Sequence, residues 1–497
     1  MNAQRGPEQE DGMAASSNSY GGSLAGFPKG IAVTTDAAVA AAFSRDESGR
    51  MGAAPMAVAH CVSTADVQAV VRWAFRSAVP LVPISSKSGP RRRGDTVCSR
   101  SAVVIDLSGM DRVIHVDGRD AIAIIEPGVT FPQFDAALKP HGLRSFRPLA
   151  PRGTKSVLAA FLEREPMTVP GSHWDSADPL SAFELVFGTG DVFRTGGAAL
   201  PGSLEQNLAR GNRQMVSTGP MHTDFGRVVQ GAQGALGVVC WGSIYCQRIP
   251  TLEMPLFAVS ESLASVVDLG YRMLRRRPTG QMFILNAAQL ALLIAGSIEE
   301  FRALRAKLPA WILYIEISAS EYYPEEQIAF KRADLERDAA ALSVSVTAKL
   351  GSLSASAVAQ RQVAGNDPIA APLGLASEEV FFLTQMDKVQ VHLESLEPAH
   401  AAETCVYLQP LAHGVNAHCQ FTFMAESNSA AALRRRAIDT AERMAANGGF
   451  FSRPYHPWAH VPFERDKTIA PILKRTKELF DPKSILQPEA QCLGNAR

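Results

Sequence analysis

The sequence predicts an α+β protein with more than one domain, and three observations support that prediction. The chain has 497 residues, which is more than one hydrophobic core usually serves. Between residues 50 and 250, short apolar runs bounded by Gly, Pro and Ser alternate with helical patterns. From Thr251 to about Met424, helical segments mix with longer strand-like runs, and Pro250 marks the change.

The composition argues against several classes of function. Hydrophobic residues make up 46% and charged residues 20%, as in ordinary globular proteins. Lys+Arg and Asp+Glu are both 49, and this balance does not suggest a nucleic-acid partner. No apolar stretch reaches the roughly 18 residues of a membrane span. The seven scattered cysteines form no CxxC pair, which favours reduced thiols in a cytoplasmic protein over a disulfide framework. We expect no metal site.

The N-terminal elements begin after a tail. Residues 1–30 are polar and rich in Gly and Ser, without the apolar core of a signal peptide, so we predict a disordered tail. We predict a short helix at Ala38–Phe43 and a strand at Met56–His60. Ser63 precedes Asp66 at the spacing of a capping box and begins an amphipathic helix.

The stretch from Pro80 to Gly128 organises the N-terminal half. Pro80–Ile84 completes a β-α-β unit, whose strands are normally parallel and whose ligands lie near the strands' carboxyl ends. The loop that follows contains hydroxyl side chains and two glycines that permit positive φ, and it suits an anion. These loop residues are Ser85, Ser86, Ser88, Gly89 and Gly94.

The rest of the chain predicts further helices and strands. The strands are Ala102–Leu107, Ala121–Ile125, a hairpin of Ala182–Phe187 and Asp191–Thr195, Gly234–Ile244, Trp311–Ile317, Glu379–Thr384, Thr404–Leu408 and His418–Met424. The helices are Thr130–Leu138, Ser265–Arg277, Glu325–Leu342, Ala430–Ala446 and one that closes before Phe480.

Seven strings, in order, resemble one family: the FAD-linked oxidases and dehydrogenases of the vanillyl-alcohol oxidase/p-cresol methylhydroxylase superfamily. Six of the strings are VPISSKSG (82–89), VVIDLSGMDRVIHVD (103–117), AIIEPGVT (123–130), GSHWD (171–175), GDVFRTGGAALPGS (190–203) and DFGRVVQGAQGALGVVCWGSI (224–244). The seventh, at the C-terminus, has two parts, SRPYHPW (452–458) and LFDPKSILQPE (479–489). Single motif matches are weak evidence, whereas seven in the family's order are strong.

The resemblance implies a domain organisation. A p-cresol methylhydroxylase-type FAD-binding domain of two α+β subdomains would span about 50–250. An α+β cap domain would span 251–445, and residues 446–497 would return to the FAD domain. In this family the substrate lies between the flavin ring and the cap. The resemblance also implies a homo- or hetero-oligomer, with a cytochrome or another acceptor protein, or a paralogous subunit, as a possible partner.

The resemblance also implies the residues that hold FAD. They are Pro83, Ser85, Ser86, Ser88, Gly89, Gly94, Gly128, Gly153, Ser156, Val157, His173, Asp175, Gly234, Gly237, Val238, Val239 and Arg453. The sequence nominates no residue for covalent attachment of the flavin.

Three departures from the family pattern leave alternatives open. Pro90–Arg93 stand where the family usually has glycines, so either these arginines supply charge to the pyrophosphate or the FAD site is degraded. Lys155 either offsets charge on a reduced flavin or is a solvated surface lysine. Ser172 stands where vanillyl-alcohol oxidase-like members have an Asp. The following pair, His173-Trp174, either lies near the flavin, as the resemblance implies, or belongs to the core.

The C-terminal segment contains the predicted catalytic residues. The resemblance places Arg453 against the flavin, where it would stabilise the negative charge of the reduced ring. Tyr455 or His456 would take the proton from a substrate hydroxyl. Pro454 and Pro457 would stiffen the segment. The alternative is a turn with an incidental arginine.

The predicted function is therefore that of an FAD-dependent oxidoreductase. It would transfer a hydride from a small alcohol, 2-hydroxy acid or 4-alkylphenol to flavin N5. A different class of function is a catalytically weakened family member that serves as a structural or regulatory subunit beside an active paralogue. A third is a non-redox use of bound FAD.

Overall fold

The computed structural model describes residues 24–44, 52–87, 102–171, 179–212, 217, 219, 224–277, 280–365, 367–397 and 403–488. Three sheets of four, five and seven strands organise these residues, and helices cover them. This architecture confirms the predicted α+β class. Among the described residues, no helix combines the length and the apolar character needed to cross a membrane.

The first sheet has four strands in the order β1–β2–β4–β3. Its strands and the two intervening helices are β1 Ala32–Thr34, α1 Ala37–Ala41, β2 Ala57–His60, α2 Thr64–Ser77, β3 Leu81–Ile84 and β4 Val103–Asp106. Both β2 and β3 pair in parallel with β4, which lies between them. The predicted parallel β-α-β unit is therefore confirmed, and the chain leaves β3 at its carboxyl end.

Helix α2 forms as its sequence predicts, with one change at its start. The Ser63 hydroxyl accepts a hydrogen bond from the Asp66 backbone N–H, but the Asp66 carboxylate accepts from Val62 N–H instead of completing a capping box. The predicted apolar face of the helix is buried, and Ala78, with φ of 52°, ends the helix. The buried face of α2 packs in one hydrophobic core with residues of the first sheet and with Val186 and Val238 of the second sheet.

The second sheet has five strands in the order β5–β6–β10–β8–β9, and β7 and β11 form a separate pair. The elements of this region are β5 Val113–Asp117, β6 Ile122–Ile125, α3 Phe131–Leu138, β7 Leu143–Arg144, α4 Val157–Leu162, β8 Leu180–Val186, β9 Val192–Arg194, α5 Leu204–Ala209, α6 Phe225–Val229, β10 Val238–Tyr245 and β11 Gln247–Arg248. The predicted hairpin of β8 and β9 is antiparallel and confirmed.

The third sheet has seven strands in the order β15–β12–β14–β13–β19–β20–β18. Its region contains β12 Leu252–Ser260, α7 Leu263–Arg275, β13 Met282–Asn286, α8 Ala287–Ile294, α9 Ile298–Lys307, β14 Trp311–Ala319, α10 Pro324–Ala340, β15 Ser345–Thr347, β16 Lys349–Leu350, β17 Leu353–Ser354, α11 Ala355–Ala359, β18 Leu375–Thr384, α12 Val389–Glu394, β19 Cys405–Leu411, β20 Asn416–Glu426 and α13 Ala430–Ala446. In this sheet, Tyr407 pairs with Gln420, and Gln420 pairs with Phe381. These three residues form one row across the sheet.

The C-terminal segment contacts two regions of the molecule. Phe451, Tyr455 and Trp458 pack in the core of the third sheet. After α14 (Val461–Arg465) and α15 (Ile469–Phe480), the chain reaches the first sheet, where Leu486 bridges Leu81 in parallel. The division into domains at residues 250 and 446 stays a prediction.

A buried ion pair anchors α15. Lys477 is 1% exposed, and its Nζ lies 2.9 Å from Asp481 Oδ2 and donates to the carbonyl oxygens of Ala235 and Leu486. The Asp481 carboxylate also accepts from the Ile485 and Leu486 N–H groups. Each charge is thus compensated, as a buried ion pair requires.

We predict that Lys477→Met destabilises the protein by about 3–5 kcal/mol, because it leaves the Asp481 carboxylate buried without its counter-ion. Urea unfolding followed by circular dichroism measures the change. The matched control is Lys467→Met, since Lys467 is exposed. Equal midpoints for the two variants would show that the ion pair does not anchor the segment.

Candidate functional site

A first cavity opens at the carboxyl end of β3. Its walls come from the end of β3, from Pro127, from α4 and from the approach to β10. Seven residues that the sequence predicts to bind cofactor line it together: Pro83, Ser85, Ser86, Gly234, Gly237, Val238 and Val239. The described lining residues include no Arg or Lys. Ser85 and Ser86 offer hydroxyl groups to an anion here, and the Glu163 carboxylate lines the same space.

Ser156 holds the walls of the first cavity in place. Its backbone N–H donates to the Ser86 hydroxyl at 3.1 Å. Its own hydroxyl donates to the Pro127 carbonyl oxygen and accepts from Ala159 N–H, so that it also caps α4. One buried serine therefore joins the loop after β3, the end of β6 and the start of α4.

Gly234 brings two walls of this cavity close together. Its φ is +76°, and a Cβ on it would lie 2.8 Å from Pro83 Cγ. Only glycine satisfies both the left-handed conformation and the close approach. The close approach to Pro83 thus explains why the sequence has a glycine at position 234, four residues before β10.

The other predicted cofactor residues fall into two groups. Gly128, Ser156 and Val157 are buried behind the first cavity, and the Gly153 N–H donates to the Val363 carbonyl oxygen at 2.8 Å. Ser88, Gly89, Gly94, His173 and Asp175 lie outside the described residues, as do Arg91–Arg93, Ser172 and Trp174.

The second cavity lies between the third sheet and the segment 148–166. The sheet provides Glu379 and Phe381 from β18, Gln420 from β20 and Tyr407 from β19. Arg152, Lys155, Glu165 and Arg453 line the same space, and α8 adds Gln289 and Leu293. Residues distant in sequence thus place charged groups of both signs around one cavity.

Arg453 enters the second cavity above an aromatic ring. It is 4% exposed, and its Cζ lies 4.5 Å from the centre of the Phe381 ring. A cation over a ring face is stabilised there, more so when desolvated. The Gln233 side chain donates to the Pro454 carbonyl oxygen at 3.0 Å, which connects this segment to the wall of the first cavity.

Tyr455 and His456 do not line either of these two cavities. Tyr455 is 5% exposed and packs in the core of the third sheet, with its ring 5.7 Å from that of Phe381. His456 is half-buried. Of the three predicted catalytic residues, the structure brings only Arg453 to the cavity.

Lys155 is buried in an ion cluster, so its interpretation as a solvated surface lysine is wrong. It is 5% exposed, and its Nζ lies 3.0 Å from both carboxylate oxygens of Glu163. The Glu165 Oε1 is 3.5 Å from the same Nζ. Glu163 lines the first cavity and Glu165 the second, so this cluster forms the partition between them.

Two polar groups of the second cavity lack partners within the described part of the chain. The Glu379 carboxylate forms no hydrogen bond or ion pair there, while its backbone carbonyl accepts from Trp458 Nε1. Gln289 is 4% exposed, and its side-chain oxygen accepts no hydrogen bond. A buried acceptor without a donor is costly, and a ligand donor would satisfy it.

Tyr407 is a hydrogen-bond donor. Burial raises the pKa of its hydroxyl well above the ordinary value, and the nearby Arg453 charge only partly opposes this effect. The hydroxyl donates to Gln409 Oε1 at 3.0 Å. Tyr407 therefore stays protonated at neutral pH, and Glu379 is the better candidate for a base.

The sequence analysis missed Glu379, Tyr407, Gln420 and Gln289, because none belongs to a string that resembles the family. One signal was available. Glu379 and Phe381 share one face of strand β18, and Glu379 comes directly before the apolar run from Val380 to Leu383. A carboxylate on such a face usually has a partner or a function.

Comparisons with known proteins find an FAD-binding family and curated relatives that match part of the chain. Residues 55–196 match a family described as an FAD binding domain. The flavoprotein subunit of 4-cresol dehydrogenase (hydroxylating) from Pseudomonas putida is 29% identical over 154 residues, which cover 30% of this chain and 29% of that protein. A D-2-hydroxyglutarate dehydrogenase from Stutzerimonas stutzeri is 25% identical over 219 residues, covering 44% and 43%. The chain thus spans less than half the length of these curated relatives.

Solved structures are similar over almost the whole chain. The 4-ethylphenol oxidase from Gulosibacter chungangensis has a TM-score of 0.75 at 16% identity, covering 94% of this chain and 95% of that one. A substrate-bound p-cresol methylhydroxylase has a TM-score of 0.76 at 14% identity, covering 94% of each chain. At this level of identity the likeness shows the fold alone.

The described residues fit FAD. The first cavity offers hydroxyl groups and a glycine that holds its walls close together, as a pyrophosphate site needs. The second cavity offers the unsatisfied acceptor of Gln289 and the cation of Arg453, which suit a ring system with N–H donors that gains negative charge. The Lys155 cluster lies between the two cavities.

We predict that Gly234→Ala weakens FAD binding, because the added Cβ forces Pro83 away from the cavity wall. The matched control is Gly374→Ala, which has a similar φ of +70° but no atom within 4 Å of the added Cβ. Strain alone should cost each variant about 1–2 kcal/mol of stability. FAD titration by fluorescence quenching should show an increased Kd for Gly234→Ala only, and an increase shared by both variants would contradict the prediction.

Proposed function

Because residues 55–196 match an FAD binding domain and the fold is similar to that of p-cresol methylhydroxylase, we propose that this chain is an FAD-dependent oxidoreductase that removes a hydride from a small organic substrate. The substrate carbon would bear a hydroxyl group or be attached to a phenol ring. FAD, when bound, supplies the hydride acceptor. The observation that supports this function best is the second cavity, where Arg453 and the unpaired Glu379 carboxylate line one space.

Each lining residue has a chemical role in this proposal. Arg453 stabilises the negative charge that the hydride acceptor gains, since its guanidinium is desolvated and fixed over Phe381. Glu379 accepts the proton of the substrate hydroxyl, because its carboxylate is not engaged by any described residue. Gln289 orients a donor group of whichever ligand occupies the cavity.

Among the predicted substrate classes, the lining favours a 4-alkylphenol over a 2-hydroxy acid. Phe381 and Tyr407 present aromatic rings, and Leu149, Leu293 and Ile369 add apolar surface. A 2-hydroxy acid would bring a second carboxylate close to Glu379, which costs electrostatic energy. A small alcohol without a ring would leave much of the apolar lining uncovered.

The alternative of a catalytically weakened subunit is less well supported. Three departures from the family pattern motivate it: the loop at Pro90–Arg93, Ser172, and the glycines replaced by Ala159 and Ala160. The first two lie outside the described residues. The second cavity combines the buried cation of Arg453 with the Glu379 carboxylate, which supports an active enzyme. Three further expectations stay predictions. They are an acceptor protein such as a cytochrome, an oligomeric state and a cytoplasmic location.

The proposal is tested by the absorbance spectrum of the purified protein loaded with FAD. We expect flavin bands that bleach under anaerobic conditions when a 4-alkylphenol is added, and more slowly with a 2-hydroxy acid. Protein that binds no flavin would contradict the proposal. Flavin bands that none of the three substrate classes bleaches would favour a structural subunit or a non-redox use of FAD.

We predict that Glu379→Gln lowers kcat about 10²–10⁴-fold, because the amide cannot accept the substrate proton. The matched control is Glu426→Gln, on the exposed end of the same sheet. Stopped-flow absorbance follows flavin reduction in both variants. If the rate is unchanged in Glu379→Gln, another group is the base.

A further inference from the structure

Gln289 presents a buried amide to the second cavity, and neither end of that amide is satisfied. The residue is 4% exposed and lines the cavity beside Leu293. Its Oε1 accepts no hydrogen bond, and its Nε2 donates none to any residue that the structure describes. Because leaving a buried polar group unsatisfied is costly, such an amide on a cavity wall indicates a ligand that completes its hydrogen bonds.

The surroundings of Gln289 are apolar, and they hold its backbone in place. It is the only polar residue of α8, whose other seven residues are Ala, Leu or Ile. The Asn286 side-chain oxygen accepts from the Gln289 N–H at 2.9 Å and from the Val406 N–H at 3.0 Å. The Asn286 amide also donates to the Thr404 carbonyl oxygen at 2.8 Å. The first turn of α8 is therefore tied to β19, so that the Gln289 amide starts from a fixed position.

An amide that offers an acceptor and a donor side by side matches a ligand with the complementary pair. The single hydroxyl of an alcohol or a phenol satisfies one end of the amide, whereas an imide satisfies both. The pyrimidine ring of a flavin is an imide, since its N3–H lies between two carbonyl groups. We propose that Gln289 binds this imide edge of FAD, with Oε1 accepting from N3–H and Nε2 donating to an adjacent carbonyl oxygen. The inference rests on the proposed function, since it requires the flavin ring in the second cavity.

The topology of the third sheet separates Gln289 from the proposed base. Helix α8 packs on β19, where Leu290 shares a core with Tyr407. Glu379 lies on β18, and β20 lies between β18 and β19. Two strand spacings put the backbones of β18 and β19 about 10 Å apart. Gln289 and Glu379 therefore face different parts of whatever fills the cavity, as a cofactor edge and a substrate hydroxyl require.

The test compares the Kd of FAD with that of 3-methyl-FAD, in which a methyl group replaces the N3 hydrogen, by fluorescence quenching. The wild type should bind the methylated cofactor about tenfold more weakly or worse, because the Gln289 acceptor stays unpaired. Gln289→Leu should bind the two cofactors about equally, and FAD about tenfold more weakly than the wild type does. The matched control is Gln420→Leu, which should keep the wild-type ratio. Gln420 lines the same cavity, but its amide already donates to the Thr422 hydroxyl at 3.2 Å.

Three results would overturn the inference: equal Kd values for the two cofactors in the wild type, an unchanged ratio in Gln289→Leu, or a ratio that Gln420→Leu also loses. A merely structural change in the cavity weakens both cofactors alike and leaves the ratio unchanged. Protein that binds no FAD would instead overturn the proposed function, before any ratio is measured. If Gln289→Leu does not fold, Gln289→Met takes its place, since it also removes the amide and the same ratios decide.

Discussion

The site depends on the hydrogen bonds of one buried residue, Ser156. It joins the loop after β3, the end of β6 and the first turn of α4, and so fixes three walls of the first cavity. The same turn places Lys155 immediately before α4 and Glu163 immediately after it. The partition between the two cavities is therefore positioned by the same contacts. Loss of the Ser156 hydroxyl would leave buried backbone groups unsatisfied on both sides of the site.

The second cavity depends on a different constraint, the meeting of distant parts of the chain. Strand β18 contributes Glu379 and Phe381, the segment before α4 contributes Lys155, and the C-terminal segment contributes Arg453. The Gln233 bond to the Pro454 carbonyl oxygen connects the C-terminal segment to the first cavity. The arrangement of charges near the proposed substrate is thus a property of the tertiary fold, and no short motif contains it.

This difference explains what the sequence could predict. The parallel β-α-β unit, the hairpin and the glycine at Gly234 follow from local patterns, and the structure has them. Arg453 was predicted because it lies in a string that resembles the family. Lys155 was left open between two interpretations, since burial depends on the partner Glu163 eight residues later. Glu379 was missed because its importance comes from the groups that it faces across the cavity, which a strand pattern does not reveal.

The most direct measurement is a crystal structure of the protein with FAD bound. We predict electron density for the adenine and pyrophosphate in the first cavity and for the flavin ring in the second, next to Arg453 and Gln289. The connecting chain should pass along the partition formed by Lys155 and Glu163. FAD density confined to the first cavity, or a flavin ring distant from Arg453, would contradict the proposed enzyme.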